Sequence, residues 1–271
     1  MFGSRDRFRG LSISKVSPMA AAFLLFVFWS AIAAAREREI VVMASLWPPY
    51  EDPKLPGHGL AASIVSAALQ RSGYRVEIEF HGWSRVLESA RGGGSAVVAA
   101  AWRSPGRERY FLFSEPYLVN EIKFLKRRGT PFVYENLEDL KGLRIGVVYD
   151  YVYGPEFDRS QIFTRAPETH VVPNIMELLD GNIDLLVGDE RTLRYELVRH
   201  FGKRRKELEF LPKPLSTRAL YLAVSRAHPR AAAIVEGFNR GLAAIKADGT
   251  YRKLLRQSNE EIWKRSYLVD R

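Results

Sequence analysis

Cysteine is absent from all 271 residues. The chain therefore has no disulfide, thiol nucleophile, cysteine metal site or cysteine lipid anchor, and its fold must rest on core packing. The five histidines, His58, His81, His170, His200 and His228, show neither His-x-x-x-His nor HExxH spacing, so no metal site is expected. No G-x-S-x-G elbow occurs, and the Gly92–Gly94 run lacks the Lys-Ser/Thr of a phosphate loop. With no nucleophile–base pair in view, the reading is a protein without catalytic activity or cofactor. Nor are Lys126-Arg127-Arg128 and Lys203-Arg204-Arg205-Lys206 interleaved with aromatics, as a base-stacking platform requires. The net charge, +10 overall and +7 without residues 1–35, thus reads as a solvated basic face, with no nucleic-acid partner.

Apolar residues make up 46% and aromatics 12%, enough for a sizeable core in one large domain or two medium ones. The N-terminus departs from this average. Arg5, Arg7, Arg9 and Lys15 lead into an apolar run, Met19 to Ala35, that ends in three alanines. Basic lead, apolar stretch and small-residue exit describe a secretory signal peptide over residues 1–35, which predicts a periplasmic protein. An uncleaved membrane anchor is the alternative, since the run is near the lower limit for spanning.

From Glu39 onward short apolar runs alternate with amphipathic segments. Ile40–Ala44, Arg75–Phe80 and Val97–Ala101 read as strands; Leu60–Gln70 and Trp83–Arg91 read as helices. The βαβαβ order predicts a parallel sheet covered by helices. It then recurs: strands at Leu143–Val148, His170–Val172 and Ile183–Val187, with helices at Gly154–Arg159, Asn174–Leu179 and from Asp189. Two α/β halves imply two lobes, 36–121 with 224–271 and 122–223. Two extended runs, Val119–Lys126 and Ala219–Ser225, join them if the helix Pro229–Lys246 packs back on the first. Such an arrangement can hinge over a cleft.

Candidate ligand residues fall at strand ends, where parallel sheets hold ligands. Arg107 follows a Pro-Gly turn after the strand at 97–101, and its guanidinium fork suits a carboxylate; a plain surface arginine is the alternative. Trp47 and Tyr50 flank Pro48-Pro49, which fixes the loop after the first strand. Trp83 and Trp102 occupy similar positions, and each of these aromatics serves either as a ligand wall or as core. Tyr151 belongs to the run Tyr149–Gly154, whose tyrosines could line the cleft, and Asp150 lies among them. Asp189 suits either a helix N-cap or an acceptor for a ligand ammonium.

Taken together, the chain resembles family 3 of the bacterial extracellular solute-binding proteins, the periplasmic binding components of polar amino-acid ABC transporters. The resemblance spans about residues 38–257. It rests on Leu46-Trp47-Pro48-Pro49-Tyr50, Ser104-Pro105-Gly106-Arg107, Phe113-Ser114-Glu115-Pro116-Tyr117, Leu137-Glu138-Asp139-Leu140-Lys141-Gly142, Gly181-Asn182-Ile183-Asp184-Leu185 and Ala247-Asp248-Gly249-Thr250-Tyr251. It implies the type II two-lobed α/β fold and a monomeric receptor that binds an amino acid or related polar solute and meets an inner-membrane ABC permease. By resemblance Arg107 takes the α-carboxylate, Asp189 the α-ammonium, and Tyr50 and Trp83 lie along the ligand side chain. Two departures stand out. Ala99, Ala100 and Trp102 replace the small hydroxyl residues usual before the arginine, and Asp150-Tyr151-Val152 replace the Gly-Ser/Thr that opens a second-lobe helix. A carboxylate thereby loses hydrogen bonds, and a cationic or aromatic ligand becomes the better fit. A signalling receptor and, less favoured, a dehydratase or lyase on the same scaffold are the alternative functions.

Overall fold

The computed structural model describes residues 39–269 apart from Ser95 and Asp150, with side chains to Glu260. The signal-peptide expectation for residues 1–35 and the place of Asp150 lie outside the described residues. The first half runs β1 (Glu39–Ala44), α1 (Leu60–Arg71), β2 (Arg75–Phe80), α2 (Trp83–Arg91), β3 (Val97–Trp102), α3 (Pro105–Glu108), β4 (Phe111–Phe113) and β5 (Leu118–Arg127). There follow β6 (Arg144–Val148), α4 (Pro155–Arg159), β7 (Thr164–Glu168), α5 (Val171–Asp180), β8 (Leu185–Asp189) and α6 (Glu190–His200). The chain closes with β9 (Leu208–Phe210), β10 (Ser216–Ser225), α7 (Ala231–Ala247) and α8 (Thr250–Val269).

The strands form one sheet in the order β2-β1-β3-β10-β5-β8-β6-β7, with β4 on β10 and β9 on β5. β3 runs parallel to β1, and β6 runs parallel to both β7 and β8. Between these parallel groups β10 is antiparallel to β3 and to β5, and β5 is antiparallel to β8. The two extended runs of the sequence are thus the paired strands that join the halves, from Leu118 opposite Leu220 to Ile122 opposite Ser216.

Helix α7 returns to the first half. Its apolar stripe, Ile234, Phe238, Leu242 and Ile245, is buried, each side chain contributing about 1.5–3 kcal/mol. It packs on α1, whose Leu60, Ile64, Val65, Ala68 and Leu69 are buried at helical spacing. The crossing is so close that a Cβ on Gly241 would lie 1.8 Å from the Ala68 carbonyl oxygen. The Ser114–Tyr117 turn is a junction. Ser114 N–H donates to Leu222 O and Leu222 N–H donates back to Ser114 Oγ, Glu115 N–H donates to Asn239 at 2.9 Å, and the Tyr117 hydroxyl donates to Ala99 O at 2.8 Å. Tyr251 then donates to Tyr117 O at 2.6 Å.

One expectation fails. The residues predicted as a strand at His170–Val172 instead open α5, with His170 as its N-cap, and the strand lies earlier at Thr164–Glu168. Val171, Ile175 and Leu178 repeat at helical spacing and are buried, and this periodicity outweighs the β-branched pair at 171–172. β7 carries Pro167 and closes the sheet at one end, where proline is tolerated. The basic cluster at 126–128 is more than a solvated face. Lys126 donates to Thr130 O and Phe132 O, Arg127 to Leu178 O and Ile183 O, both at 2.8 Å, and Arg128 to Lys206 O. Among the described residues no helix is long and apolar enough to cross a membrane.

Candidate functional site

Five strand ends, those of β1, β2, β3, β6 and β7, converge on a cavity of about 500 Å³. Trp47, Trp83, Trp102, Arg107 and Tyr151 all line it, so the structure brings five of the seven sequence-predicted residues together. The aromatic faces meet edge to face: Trp102 lies 5.4 Å from Trp47 and 6.0 Å from Tyr151, centroid to centroid.

The loop that carries Trp47 and Tyr50 is held from both sides. Trp47 N–H and O pair with Glu51, and Leu60 and Ala61 at the start of α1 donate to Pro49 O and Tyr50 O at 3.0 and 2.9 Å. That approach needs Gly59, whose φ is +98° and whose Cβ, if present, would lie 2.6 Å from Tyr50 O. Beneath the loop Glu51 is buried, accepting from Ser45 N–H at 3.0 Å and from the Ser45 hydroxyl. Burial pushes its carboxyl up to about 8, against the opposing effect of the Ser45 bonds. Glu51 Oε1 and Trp47 Nε1 are both buried without a hydrogen-bond partner.

Arg107 is held by one donated bond, from Nη1 to Trp102 O at 2.8 Å, and by its stack on Trp83, with Cζ 4.8 Å from the ring centroid. No described carboxylate pairs with it. Burial first, then Arg218 and Arg91, lower its pKa to about 10, so it stays cationic at neutral pH but in an unfavourable field. Arg218 itself stacks on Trp102 at 5.1 Å. A half-buried guanidinium with spare donors and no described counter-charge has the chemistry to accept an anion.

The remaining two predicted residues lie elsewhere. Tyr50 and Asp189 border a separate cavity of about 390 Å³, and they are engaged with each other. The Tyr50 hydroxyl donates to Asp189 Oδ2 at 3.1 Å, Asn120 Nδ2 donates to the same oxygen at 2.7 Å, and Thr192 N–H donates to Oδ1 at 2.8 Å as the N-cap bond of α6. Burial raises the Asp189 pKa and these donors oppose the rise. Asn120 Oδ1 accepts from Trp102 Nε1 at 3.1 Å. Trp102 is thus the indole through which the Arg107 cavity connects to Asp189. Sequence reasoning missed Asn120 and Arg218. Both sit on the strands that join the halves, and no local motif marks them. Among the described residues no three His, Cys, Asp or Glu side chains gather as a metal site.

Comparison with known proteins agrees with this architecture. A match to the family described as "Bacterial extracellular solute-binding proteins, family 3" spans residues 40–260. An "Arginine-binding periplasmic protein" of Mannheimia haemolytica is 22% identical over 237 residues, 85% of this chain and 95% of that protein. Among solved structures, a mutant of ArgBP from T. maritima is similar with a TM-score of 0.68 at 19% identity, over 84% of this chain and 98% of that one. A histidine kinase sensor domain with similarity to periplasmic binding proteins gives 0.67 at 21% identity, over 82% of this chain and 97% of that one. The fold is the type II periplasmic-binding-protein fold.

Proposed function

Because the chain belongs to the bacterial extracellular solute-binding proteins, family 3, we propose that it is a periplasmic receptor. In this reading it captures a small polar solute between two lobes and presents it to an inner-membrane ABC permease, without chemistry on the solute. The lobes are residues 36–121 with 224–271 and residues 122–223, hinged on β5 and β10. One observation carries the reading: Arg107, cationic and half-buried, faces an aromatic-walled cavity and has no described counter-ion. In that cavity Arg107 takes a ligand carboxylate, while Trp47, Trp83, Trp102 and Tyr151 bound the rest. Tyr50 and Asp189 act as a latch between the two halves. Their hydrogen bond spans 139 residues of sequence, and closure is stabilised when both halves contact the ligand.

A thermal-shift screen of the purified protein against amino acids, polyamines and small organic acids identifies ligands by a raised midpoint. Titration calorimetry on Arg107→Ala then reads the contact. Affinity for a carboxylate ligand is expected to fall by roughly 2–5 kcal/mol, as when one partner of a buried charge pair is truncated. Unchanged affinity rejects the assignment. The signalling reading draws support from the likeness to a histidine kinase sensor domain. A permease and ATPase encoded beside the gene favour import, and a sensor kinase there favours signalling.

A further inference from the structure

Trp102 walls the Arg107 cavity, yet two of the groups that hold its ring, Asn120 and Arg218, lie outside the lining. They come from the two connecting strands. Arg218 on β10 stacks on the ring, with Cζ 5.1 Å from the centroid, a cation–π contact. Asn120 on β5 accepts from Trp102 Nε1 at 3.1 Å. The two residues are Cα partners across the strands, and such partners carry their side chains on one face of the sheet.

The Asn120 amide is fixed at both ends. An indole N–H only donates, so the amide oxygen must face Trp102. The amino group then faces Asp189 and donates to Oδ2 at 2.7 Å. A reversed amide sets donor against donor and oxygen against carboxylate. Asn120, Trp102 and Asp189 are all buried, so a broken bond leaves a polar group with no water to replace the partner. Among side chains of similar size, leucine satisfies neither neighbour, and aspartate presses a second carboxylate on Asp189.

We propose that Asn120 is a positioning residue for ligand binding: it touches no ligand, but it sets the Trp102 indole that does, and it anchors that indole on Asp189. The inference rests on the solute-binding reading and deepens it. β3 carries Trp102, β8 ends at Asp189 and β5 carries Asn120. One amide thus ties the cavity wall to a strand of each half and to the connection between them. A rotation of the halves about β5 and β10 that displaces Asn120 reaches the cavity wall directly.

The test joins NMR of the nitrogen-15-labelled protein to titration calorimetry. The Trp102 Nε1–H resonance is identified by its loss in Trp102→Phe. In the parent it should lie downfield, as a hydrogen-bonded indole does, and cross-relax with the Asn120 side-chain amide. Absence of that cross-peak overturns the inference without any change at position 120. In Asn120→Leu the resonance should move upfield. In Gly241→Ala, which strains the α1–α7 contact instead, it should keep its place, so a general loss of stability does not mimic the effect. Calorimetry then takes one probe from each of several ligand classes: L-lysine, L-glutamate, L-phenylalanine, spermidine and succinate. For a probe that the parent binds, Kd should rise at least about tenfold in folded Asn120→Leu, equal to about 1.4 kcal/mol. An unchanged Kd beside a displaced resonance makes Asn120 structural only, and overturns the inference while the solute-binding reading stands. If the parent binds none of the probes at millimolar concentration, the solute-binding reading fails for these classes and takes the inference with it. Should Asn120→Leu not fold, Asn120→Ala replaces it in both measurements.

Discussion

Glu51 and Trp47 hold two polar groups, an Oε1 and an indole N–H, in the same tight loop without hydrogen-bond partners. Native proteins rarely leave such groups, and each costs about 1–3 kcal/mol. For Glu51 the protonated form is favoured in the fold. Its folded pKa of about 8 lies above its unfolded value, so its contribution to stability is fully present below the unfolded value and is lost as pH rises through about 8. The parent protein should therefore lose stability between roughly pH 4.5 and 8 by up to about 1.4 kcal/mol per pH unit, and Glu51→Gln should lose less over the same window. Urea denaturation of both at pH 5, 6.5 and 8 reads this; equal slopes would falsify it. Of the site residues, Arg107 and the tryptophans were legible because turn chemistry and strand ends place them locally. The engagement of Asp189 was legible only as a cap. Its bonds to Tyr50 and Asn120 join positions 139 and 69 residues apart, a relation that no local pattern encodes.

Among the elements, those buried on both faces were the easiest to read. β3 is buried at every position, and such a strand shows as a continuous apolar run. α1 and α7 each declare a buried stripe. β4 and β9 escape notice because three residues show no period, and β7 because an edge strand with a proline has no alternation to display. The α1–α7 contact makes the sharpest prediction here. Gly241→Ala places a methyl where the Ala68 carbonyl stands, so the helices must separate and repack. Overpacking of this kind costs roughly 1–3 kcal/mol, a fall in Tm of about 2–4 °C per kcal/mol in a chain of this size. Thermal denaturation followed by circular dichroism checks it, and an unchanged midpoint would mean that the helices cross with room to spare.

Across the whole molecule, Asp189 accepts bonds from residues far apart in the chain, in addition to the sheet that joins β3, β10, β5 and β8. Asn120 lies on a connecting strand, Tyr50 belongs to the first half, and Asp189 ends a strand of the second. Tyr50→Phe removes one bond to a carboxylate, worth about 1.5–3 kcal/mol, and leaves the Asn120 and Thr192 bonds in place. The unliganded variant should show a larger radius of gyration than the parent in small-angle scattering, with a Tm lower by about 2–4 °C for each kcal/mol lost. Identical scattering curves would show that this hydroxyl does not restrain the halves.

The position of β10 also sets an order of events. It lies between β3 and β5 in the sheet, yet residues 97–102 and 118–127 precede residues 216–225 in the chain. As the polypeptide emerges from a ribosome or an export channel, β3 waits with an open edge until the last quarter of the chain arrives. An uncovered strand edge invites association with other chains. The newly made protein therefore passes through an interval in which its first half is complete in sequence but not in structure, and a fast supply of the C-terminal residues shortens that interval.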